Sequence, residues 1–276
     1  MQELREFDLP VADTTMHCWE GGKGPALLFF HGSGTGAQTS SNFKSVLGPL
    51  SKRYRVLATD LIGYGKSGLK KSEPYFDMDL WGRQVTSLID YSSASSVILV
   101  GHSLSASLVL KTAATDSRVC GVVGTAPFGI TYPVPLDTKG WNFPDNPNAL
   151  RAQVERTVFN PHFIDDAEID LRWKTLIRPG YREYFARMYP NGRQYYLDIS
   201  SLTDAELKAI KCHVVLMHGA DDISFGPEKT SLPLAKKIQS ADVVILNRCG
   251  HSIALEHPEK FIGVIDSFFA NNAKPS

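Results

Sequence analysis

Short apolar runs alternate with longer helical patterns along most of this sequence, and this alternation constrains the fold more than any other feature. Runs rich in Val, Ile, Leu and Phe predict strands at 26–30, 55–60, 97–101, 119–125, 214–219 and 243–247. Between them, helical spacing predicts helices at 42–52, 78–93, 104–115, 227–239 and 258–270. The pattern predicts an α/β fold with a mostly parallel central sheet flanked by helices.

A segment after Thr125 interrupts this alternation. Strand-like runs are missing from it, and Pro, aromatic and charged residues dominate, beginning with "PFGITYPVPLDTKGWNFPDNP". Within it, "DDAEIDLRWKTLI" predicts a helix with Asp165 as N-cap and Glu168 in capping-box spacing. We therefore expect three parts, which are a first core part at 1–126, a helical cap at 127–205 and a second core part at 206–276.

The charge balance and the N-terminus limit the partners. Lys+Arg and Asp+Glu both total 29, and without a basic block the chain is not expected to bind nucleic acid. The charged start "MQELREFDLP" lacks a signal core, and apolar runs such as "PALLFF" are too short to cross a bilayer. We expect a cytoplasmic protein that does not bind to a membrane.

The four cysteines indicate no metal or disulfide chemistry. Cys18, Cys120, Cys212 and Cys249 lie far apart without a C-x-x-C pair. This spacing fits neither a disulfide framework nor a zinc site. We expect neither a metal nor an organic cofactor.

The stretch "VILVGHSLSAS" at 97–107 presents a candidate nucleophile, Ser103, between a predicted strand and a predicted helix. A nucleophile elbow needs small residues two positions to either side of the serine, and Gly101 and Ser105 are both small. Ser105 departs from the usual G-x-S-x-G pattern. On these residues alone the match is weak, and the alternative interpretation of Ser103 is a helix-capping serine.

Two later loops supply the groups that such a serine needs, because its hydroxyl is a poor nucleophile without a base held by an acid. "LMHGADDISFGP" places Asp221 and Asp222 at the end of a strand, and "NRCGHSIALEHPEKF" places His251 after the final strand. All three groups therefore leave strands at the carboxyl edge of a parallel sheet, where ligands bind. Four other histidines are rival bases and Asp221 is a rival acid; the rival histidines are His31, His102, His218 and His257.

This Ser, Asp, His order resembles the α/β-hydrolase family, and the resemblance extends from about residue 25 to 270. "FFHGSGTG" and "DLIGYGKS" are similar to two further motifs of the family. The resemblance implies that Ser103 is the nucleophile, His251 the base and Asp222 the acid. It implies oxyanion donors at the backbone N–H groups of Ser33 and Leu104, and a helical cap inserted after the sixth strand.

Two stretches narrow the resemblance to the meta-cleavage product hydrolases. "HGSGTGAQTSSNF" is similar to their long oxyanion loop and includes Asn42, and "FNPHFIDDAEIDLRW" is similar to their cap helix. This resemblance implies that Arg172 binds the substrate carboxylate, although a surface ion pair with Glu168 explains the same spacing. The other residues predicted for the substrate site are Gly32, Gly34, His102 and Trp173. The departures from this family's pattern are Thr35, His102, Ser105 and Ser252.

The implied reaction is the cleavage of a C–C bond in a vinylogous 1,5-diketone, which yields a carboxylic acid and a 2-hydroxydienoate. Two alternatives stay open. The same triad serves a carboxylesterase or lactonase acting on a small apolar ester, and the same fold serves a non-catalytic small-molecule receptor. All three imply a small-molecule partner and are compatible with a homo-oligomer.

Overall fold

A computed structural model describes residues 4–135, 138 and 141–269. Its eight strands form one sheet in the order β1-β2-β4-β3-β5-β6-β7-β8. The pairs β1/β2 and β2/β4 are antiparallel, and all other pairs are parallel, which confirms the predicted fold class. The strands are β1 Arg5–Val11, β2 Thr14–Gly21, β3 Ala26–Phe30, β4 Arg55–Thr59, β5 Val97–His102, β6 Val119–Thr125, β7 His213–Gly219 and β8 Ala241–Leu246.

Helices cover both faces of the sheet. Alternate strand residues divide the core into two layers: Leu28 packs in one buried cluster and Phe29 in the other. The described helices are α1 Thr39–Ser51, α2 Met78–Ser92, α3 Leu104–Ala113, α4 Pro147–Glu155, α5 Asp166–Leu176, α6 Tyr181–Met188, α7 Arg193–Ser200, α8 Asp204–Ala209, α9 Ser231–Ala235, α10 Ile253–Glu256 and α11 Pro258–Phe269, with a short 3-10 turn at Pro161–Phe163.

The six predicted strands agree with β3 to β8 within two residues at each end, but the N-terminal hairpin β1/β2 was not predicted. Its two strands pair with Val11 opposite Thr14, so only Ala12 and Asp13 form the turn. Ala12 has φ 54°, the left-handed conformation that such a tight hairpin turn requires. The hairpin joins the parallel sheet through an antiparallel pairing of Cys18 with Thr59.

The helix predicted at 227–239 is wrong in length, since only the five residues of α9 are helical. Pro233 lies inside α9 and has no N–H to donate, which limits helix propagation around it. The helix predicted at 258–270 agrees with α11, and its last residue lies outside the described part of the chain.

In its described residues, the segment between β6 and β7 contains α4 to α8 and the 3-10 turn, joined by loops, and it contains no strand there. Asp165 caps α5 as predicted, with its side chain accepting from the Glu168 N–H at 2.7 Å. The Glu168 carboxylate does not complete a capping box, because it bonds to Arg172 instead. Within the described ranges, no helix is long and apolar enough to span a membrane.

Candidate active site

Ser103 occupies a sharp turn between β5 and α3. Its backbone has φ 55° and ψ −117°, a conformation that residues with a side chain rarely adopt. The turn is held by its neighbours, since the Ser103 N–H donates to the Thr125 carbonyl at 2.8 Å and its own carbonyl accepts from Phe128 N–H at 3.0 Å. The surrounding hydrogen bonds therefore maintain a strained backbone at the candidate nucleophile.

Gly101 allows this turn to close. A Cβ built on Gly101 would lie 2.5 Å from the Ser105 carbonyl oxygen and 2.7 Å from the Ala106 nitrogen. No side chain fits at that distance from backbone atoms. Ser105, by contrast, is accommodated with its side chain fully buried.

Asp222 and His251 form a buried hydrogen-bonded pair. The His251 Nδ1–H donates to Asp222 Oδ2 at 2.6 Å, and the same oxygen lies 3.2 Å from His218 Nε2. The other carboxylate oxygen accepts the N–H groups of Ser224 at 2.9 Å and Phe225 at 3.1 Å. With the proton assigned to Nδ1, the Nε2 of His251 is available to accept a proton.

The environment keeps Asp222 ionised. Burial acts to raise the pKa of this carboxyl group, but the charge of His251 and the hydrogen bonds from His218 and His251 lower its pKa well below the usual range. The rival acid Asp221 is exposed, and its side chain accepts only a long bond, 3.4 Å, from the Cys249 N–H. Of the two neighbouring aspartates, only Asp222 reaches an imidazole that borders the cavity.

Ser103 and His251 line one cavity of about 450 Å³. Among described residues, the Ser103 hydroxyl has no hydrogen-bond partner, so it forms no hydrogen bond with His251 in the structure. Bonds of this kind often tighten only when the substrate is present. The described residues of the wall are Gly32, Ser33, Gly34, Thr35, Ala37, Asn42, His102, Ser103, Trp141, Asn142, Gln153, Val154, Arg156, Thr157, Arg172, Arg193, Ile223, Ser224, Phe225, His251 and Ser252.

Most residues predicted for the substrate site therefore border this cavity, but Trp173 does not. Gly32, Gly34, Asn42 and His102 are all in its wall. Trp173 instead packs, partly buried, against the apolar core. It follows Arg172 on α5, and adjacent helical residues point in directions about 100° apart, so the two side chains do not reach the same wall.

His31 orients the peptide that carries the Ser33 N–H. Its Nε2 accepts from the Leu61 N–H at 2.9 Å, which leaves the proton on Nδ1, and Nδ1–H donates to the Gly32 carbonyl at 2.6 Å. That carbonyl and the Ser33 N–H belong to one planar peptide unit and point in opposite directions. Burial lowers the pKa of His31, so the imidazole stays neutral and keeps this arrangement.

The preceding peptide unit is fixed at both ends. The Gly32 N–H donates to Asn42 Oδ1 at 3.0 Å, and the His31 carbonyl accepts from the Ser105 hydroxyl at 2.5 Å. The side chain of Asn42 therefore binds the loop itself as well as bordering the cavity. Ser105, the departure from the elbow pattern, connects the first turn of α3 to the same loop.

Two tyrosines hold the next peptide unit. The hydroxyls of Tyr64 and Tyr189 bond to one another, and they lie 3.3 and 3.5 Å from the Ser33 carbonyl oxygen. Among described residues, the Ser33 N–H has no acceptor. Leu104 is the first residue of α3, where a backbone N–H has no partner within the helix. Both predicted oxyanion donors are therefore available.

Arg172 forms a buried ion pair at the cavity wall, not the surface pair considered from the sequence. Its Nε donates to Glu168 Oε1 at 2.7 Å and its Nη1 donates to the Thr35 carbonyl at 3.2 Å. The Glu168 side chain is 1% exposed. Burial acts to raise the pKa of Glu168, but the charges of Arg172 and Lys44 and the hydrogen bond from Arg172 lower it overall.

His102 and Ser252, two further departures, lie beside the base. The rings of His102 and His251 are 4.8 Å apart, and His102 Nδ1 is 3.0 Å from Thr125 Oγ1. Burial lowers the pKa of His102 well below its usual value, and the neighbouring His251 lowers it further. His102 is therefore a neutral wall residue, not a rival base. Ser252 Oγ is 3.2 Å from Thr157 Oγ1.

Several wall residues were missed by sequence reasoning. Arg156 and Arg193 lie in the helical segment, and Phe225 packs 5.3 Å from the His251 ring. Phe225 belongs to the loop "LMHGADDISFGP" after a predicted strand, which was a signal for it, whereas no strand end or motif distinguishes Arg156 and Arg193, because long-range packing brings them to the cavity. Among the residues that the structure describes, no cluster of three or more His, Cys, Asp or Glu side chains could hold a metal ion.

Comparison with known sequences gives matches over nearly the whole chain. The model of the "Alpha/beta hydrolase family" matches residues 27–264. The chain is 29% identical over 271 residues to a 2-hydroxymuconate semialdehyde hydrolase of Pseudomonas sp. strain CF600, covering 96% of this chain and 93% of the relative. It is 29% identical over 261 residues to a 2-hydroxy-6-oxo-2,4-heptadienoate hydrolase of Pseudomonas putida, covering 94% and 93%.

Comparison with solved structures also gives matches over nearly the whole chain. A meta-cleavage product hydrolase from Pseudomonas fluorescens IP01 superimposes with a TM-score of 0.86 at 25% identity, covering 96% of this chain and 97% of that one. A serine hydrolase from the bacterium Cycloclasticus zankles, at 24% identity, shares the fold with a TM-score of 0.88, covering 97% and 98%.

Proposed function

This chain belongs to the alpha/beta hydrolase family, and from that premise we propose that it cleaves a C–C bond in a vinylogous 1,5-diketone of the meta-cleavage product type. The proposed substrate is a 2-hydroxy-6-oxo-dienoate, and the products are a carboxylic acid and a 2-hydroxydienoate. One observation carries the proposal: Ser103 and the Asp222–His251 pair meet at one cavity whose wall also holds Arg172. The two curated relatives are named for substrates of this class.

In the proposed division of the chain, residues 127–205 form a cap over a core made of 1–126 and 206–276. Two contacts support a functional connection between cap and core. The Thr157 carbonyl accepts the His251 N–H at 2.9 Å, and Glu256 Oε2 accepts the Phe159 N–H at 2.7 Å. The cap would thus help to place the loop that carries the base.

The first proposed step binds and ketonises the substrate. Arg172 binds the carboxylate of the dienoate, a role suited to a permanently charged, planar guanidinium. The 2-hydroxyl proton leaves the oxygen and a proton is added to the carbon beside the distant ketone, which gives a 2,6-diketone with one remaining double bond. The keto group beside the carboxylate can then accept the electrons released by cleavage.

In the second step, Ser103 attacks the distant ketone while His251 Nε2 takes its proton. The negative charge on the former carbonyl oxygen is stabilised by the N–H groups of Ser33 and Leu104. Because His31 and its neighbours already fix the Ser33 peptide, little reorganisation is needed when this charge forms. One such donor is worth about 3 kcal/mol of transition-state stabilisation.

In the last steps the C–C bond breaks and the acyl group is released. The bonding electron pair moves into the keto group beside the carboxylate, and His251 returns the serine proton to give the 2-hydroxydienoate. Water then loses a proton to His251 and adds to the ester carbon, and the ester oxygen of Ser103 recovers that proton as the carboxylic acid leaves. One water molecule is consumed and no redox change occurs.

A paired assay tests this function. The wild type and Ser103→Ala are each incubated with a yellow ring-cleavage dienoate and, separately, with p-nitrophenyl acetate. We expect the wild type to bleach the dienoate rapidly and Ser103→Ala to leave it unchanged. Turnover of the ester alone would replace the proposal with an esterase or lactonase activity, and absence of covalent labelling by a fluorophosphonate would indicate a binding protein.

A further inference from the structure

The described charged residues of the cavity wall are all positive. The wall contains three arginines, Arg156, Arg172 and Arg193, and none of its described residues is an aspartate or glutamate. A cavity whose wall carries charges of one sign raises the local concentration of ligands that carry the opposite charge. The charge of this wall therefore favours an anionic ligand, and the number of arginines exceeds what one carboxylate requires.

Arg172 already has a partner. Its Nε bonds to Glu168 at 2.7 Å, and this carboxylate also receives Lys44 Nζ at 3.4 Å. The cluster of Arg172, Lys44 and Glu168 has a single net positive charge, which one carboxylate would neutralise. The remaining two arginines are not part of this cluster.

Among the described arginines of the wall, Arg193 is buried in part and has unused hydrogen-bonding capacity. It is the first residue of α7 and is half-buried, with its guanidinium carbon 5.3 Å from the centre of the Phe225 ring. Its Nε is buried and has no hydrogen-bond partner, and no described carboxylate forms an ion pair with it. A buried donor without an acceptor is costly, so a ligand acceptor at this position would be favoured.

Arg156 adds a further positive charge to the wall. It follows α4 directly, is exposed, and its positive charge acts on Arg193. Burial lowers the pKa of Arg193, Tyr132 acts against this, and the charge of Arg156 lowers the pKa further. Two like charges in one cavity wall that repel each other, with no described counter-ion, would both be stabilised by an anion that binds between them.

The two cationic regions lie beside different parts of the catalytic machinery. Arg172 contacts the oxyanion loop at Thr35. Arg193 contacts Phe225, whose ring packs against the base His251. A substrate extended through the cavity past Ser103 can therefore place one negative group on each region.

We propose that Arg193, with Arg156, binds a second carboxylate at the far end of the acyl group, so that the substrate is a 2-hydroxy-6-oxo-dienoate whose acyl chain ends in a carboxylate. This inference rests on the proposed function. The bonds broken and formed are those given above, and hydrolysis of the acyl-enzyme releases a dicarboxylic acid. The phenyl face of Phe225 accommodates the guanidinium and keeps one side of it free of water.

The test uses two dienoates with the same acyl chain length, one ending in a methyl group and one in a carboxylate. Wild type, Arg193→Gln, Arg193→Lys and Arg156→Gln are compared by kcat/KM. We expect the wild type to prefer the carboxylate-ended substrate by at least about tenfold. Arg193→Gln should lose most of this preference, Arg193→Lys should keep part of it, and Arg156→Gln should lose less than Arg193→Gln.

The matched control is Arg187→Gln, which removes an exposed arginine that pairs with Glu73 outside the cavity. It should leave both rates and their ratio unchanged. A wild type that prefers the methyl-ended substrate, or an Arg193→Gln variant that keeps the full preference, would overturn the inference.

A binding measurement separates this inference from the reaction itself. Titration calorimetry compares a dicarboxylic acid with the monocarboxylic acid of equal length on wild type and on Arg193→Gln. We expect tighter binding of the dicarboxylic acid, by about tenfold, only in the wild type. If neither dienoate is cleaved but this difference is found, the reaction is wrong and the subsite stands; equal binding of both acids to the wild type rejects the subsite.

Discussion

The hydroxyl of Ser105 donates to the carbonyl oxygen of His31 across 2.5 Å, and both groups are fully buried. This bond joins the helix that follows the candidate nucleophile to the loop that carries the Ser33 N–H. A glycine at position 105, as in the usual elbow pattern, could not form it. The departure from the pattern therefore supplies a contact between the two parts of the proposed oxyanion hole.

Ser105→Ala should lower kcat by about tenfold with little change in KM. The change leaves the buried His31 carbonyl without its donor, which costs about 1–3 kcal/mol and loosens the loop. Ser107→Ala is the matched control, because its hydroxyl on the same helix bonds to the Ser200 carbonyl, outside the cavity. It should reduce thermal stability to a similar extent and leave kcat unchanged. Equal kcat values for the two variants would contradict a role for Ser105 in positioning.

Two replacements of Ser103 should distinguish the role of its hydroxyl in activity from the strain of its backbone. Ser103→Ala should lower kcat by about 10⁴-fold or more, since no other described hydroxyl takes its place. Ser103→Gly should be equally inactive but more stable than Ser103→Ala by about 1–2 kcal/mol, because glycine adopts φ 55° without cost. Chemical denaturation of both variants measures the difference. Equal stability would mean that the elbow backbone is not strained.

Asp222→Asn should lower kcat by about 10³- to 10⁴-fold, because an amide does not balance the imidazolium charge and its NH2 group can donate to Nδ1, which selects the wrong tautomer of His251. It should also change how stability depends on pH. The pKa of Asp222 is lowered in the folded state, so its ionised form stabilises the fold above the ordinary value and this contribution is lost as pH falls.

The stability difference between wild type and Asp222→Asn should therefore be constant above about pH 5 and shrink progressively below about pH 4. Urea denaturation at a series of pH values measures this difference. A difference that grows as the pH is lowered would have the wrong sign and would contradict a lowered pKa of Asp222 in the folded state.

Two glycine substitutions should have opposite effects. Gly101→Ala should destabilise the protein by about 1–3 kcal/mol or more and reduce activity, because its Cβ would overlap the backbone of Ser105 and Ala106. Gly82→Ala in α2 should increase stability by about 0.5–1 kcal/mol, since no atom beyond the adjacent residues and the local helix backbone lies within 4 Å of the added methyl group and alanine favours the helix. Thermal melting of both variants provides the comparison.

The buried ion pair of Arg172 and Glu168 can be tested with a double variant. Arg172→Gln should lower stability by about 3 kcal/mol, because Glu168 is left buried with Lys44 as its remaining described cation, and it should raise KM for the dienoate by at least about tenfold. The double change Glu168→Gln/Arg172→Gln should recover most of the stability while KM stays raised. Recovery of KM together with stability would show that Arg172 acts only through folding.

The sequence by itself determined the fold class and the positions of the three candidate catalytic residues. Apolar runs at 97–101 and 214–219 can be recognised as buried strands from neighbouring residues alone, and Ser103 and Asp222 follow them. His251 follows the predicted strand at 243–247, which the structure places at the edge of the sheet as β8. The carboxyl ends of parallel strands meet at one edge, so local patterns were sufficient to predict the convergence.

Only the tertiary structure decided which groups complete the site. The tyrosines that hold Ser33, the bond from Ser105 to His31 and the position of Arg193 in the wall all join segments far apart in the chain. The burial of Glu168 also depends on distant packing, which turned an ordinary helical spacing into an interior ion pair. Local sequence fixes which backbone elements form, whereas such contacts depend on how those elements pack, and no short-range pattern records that packing.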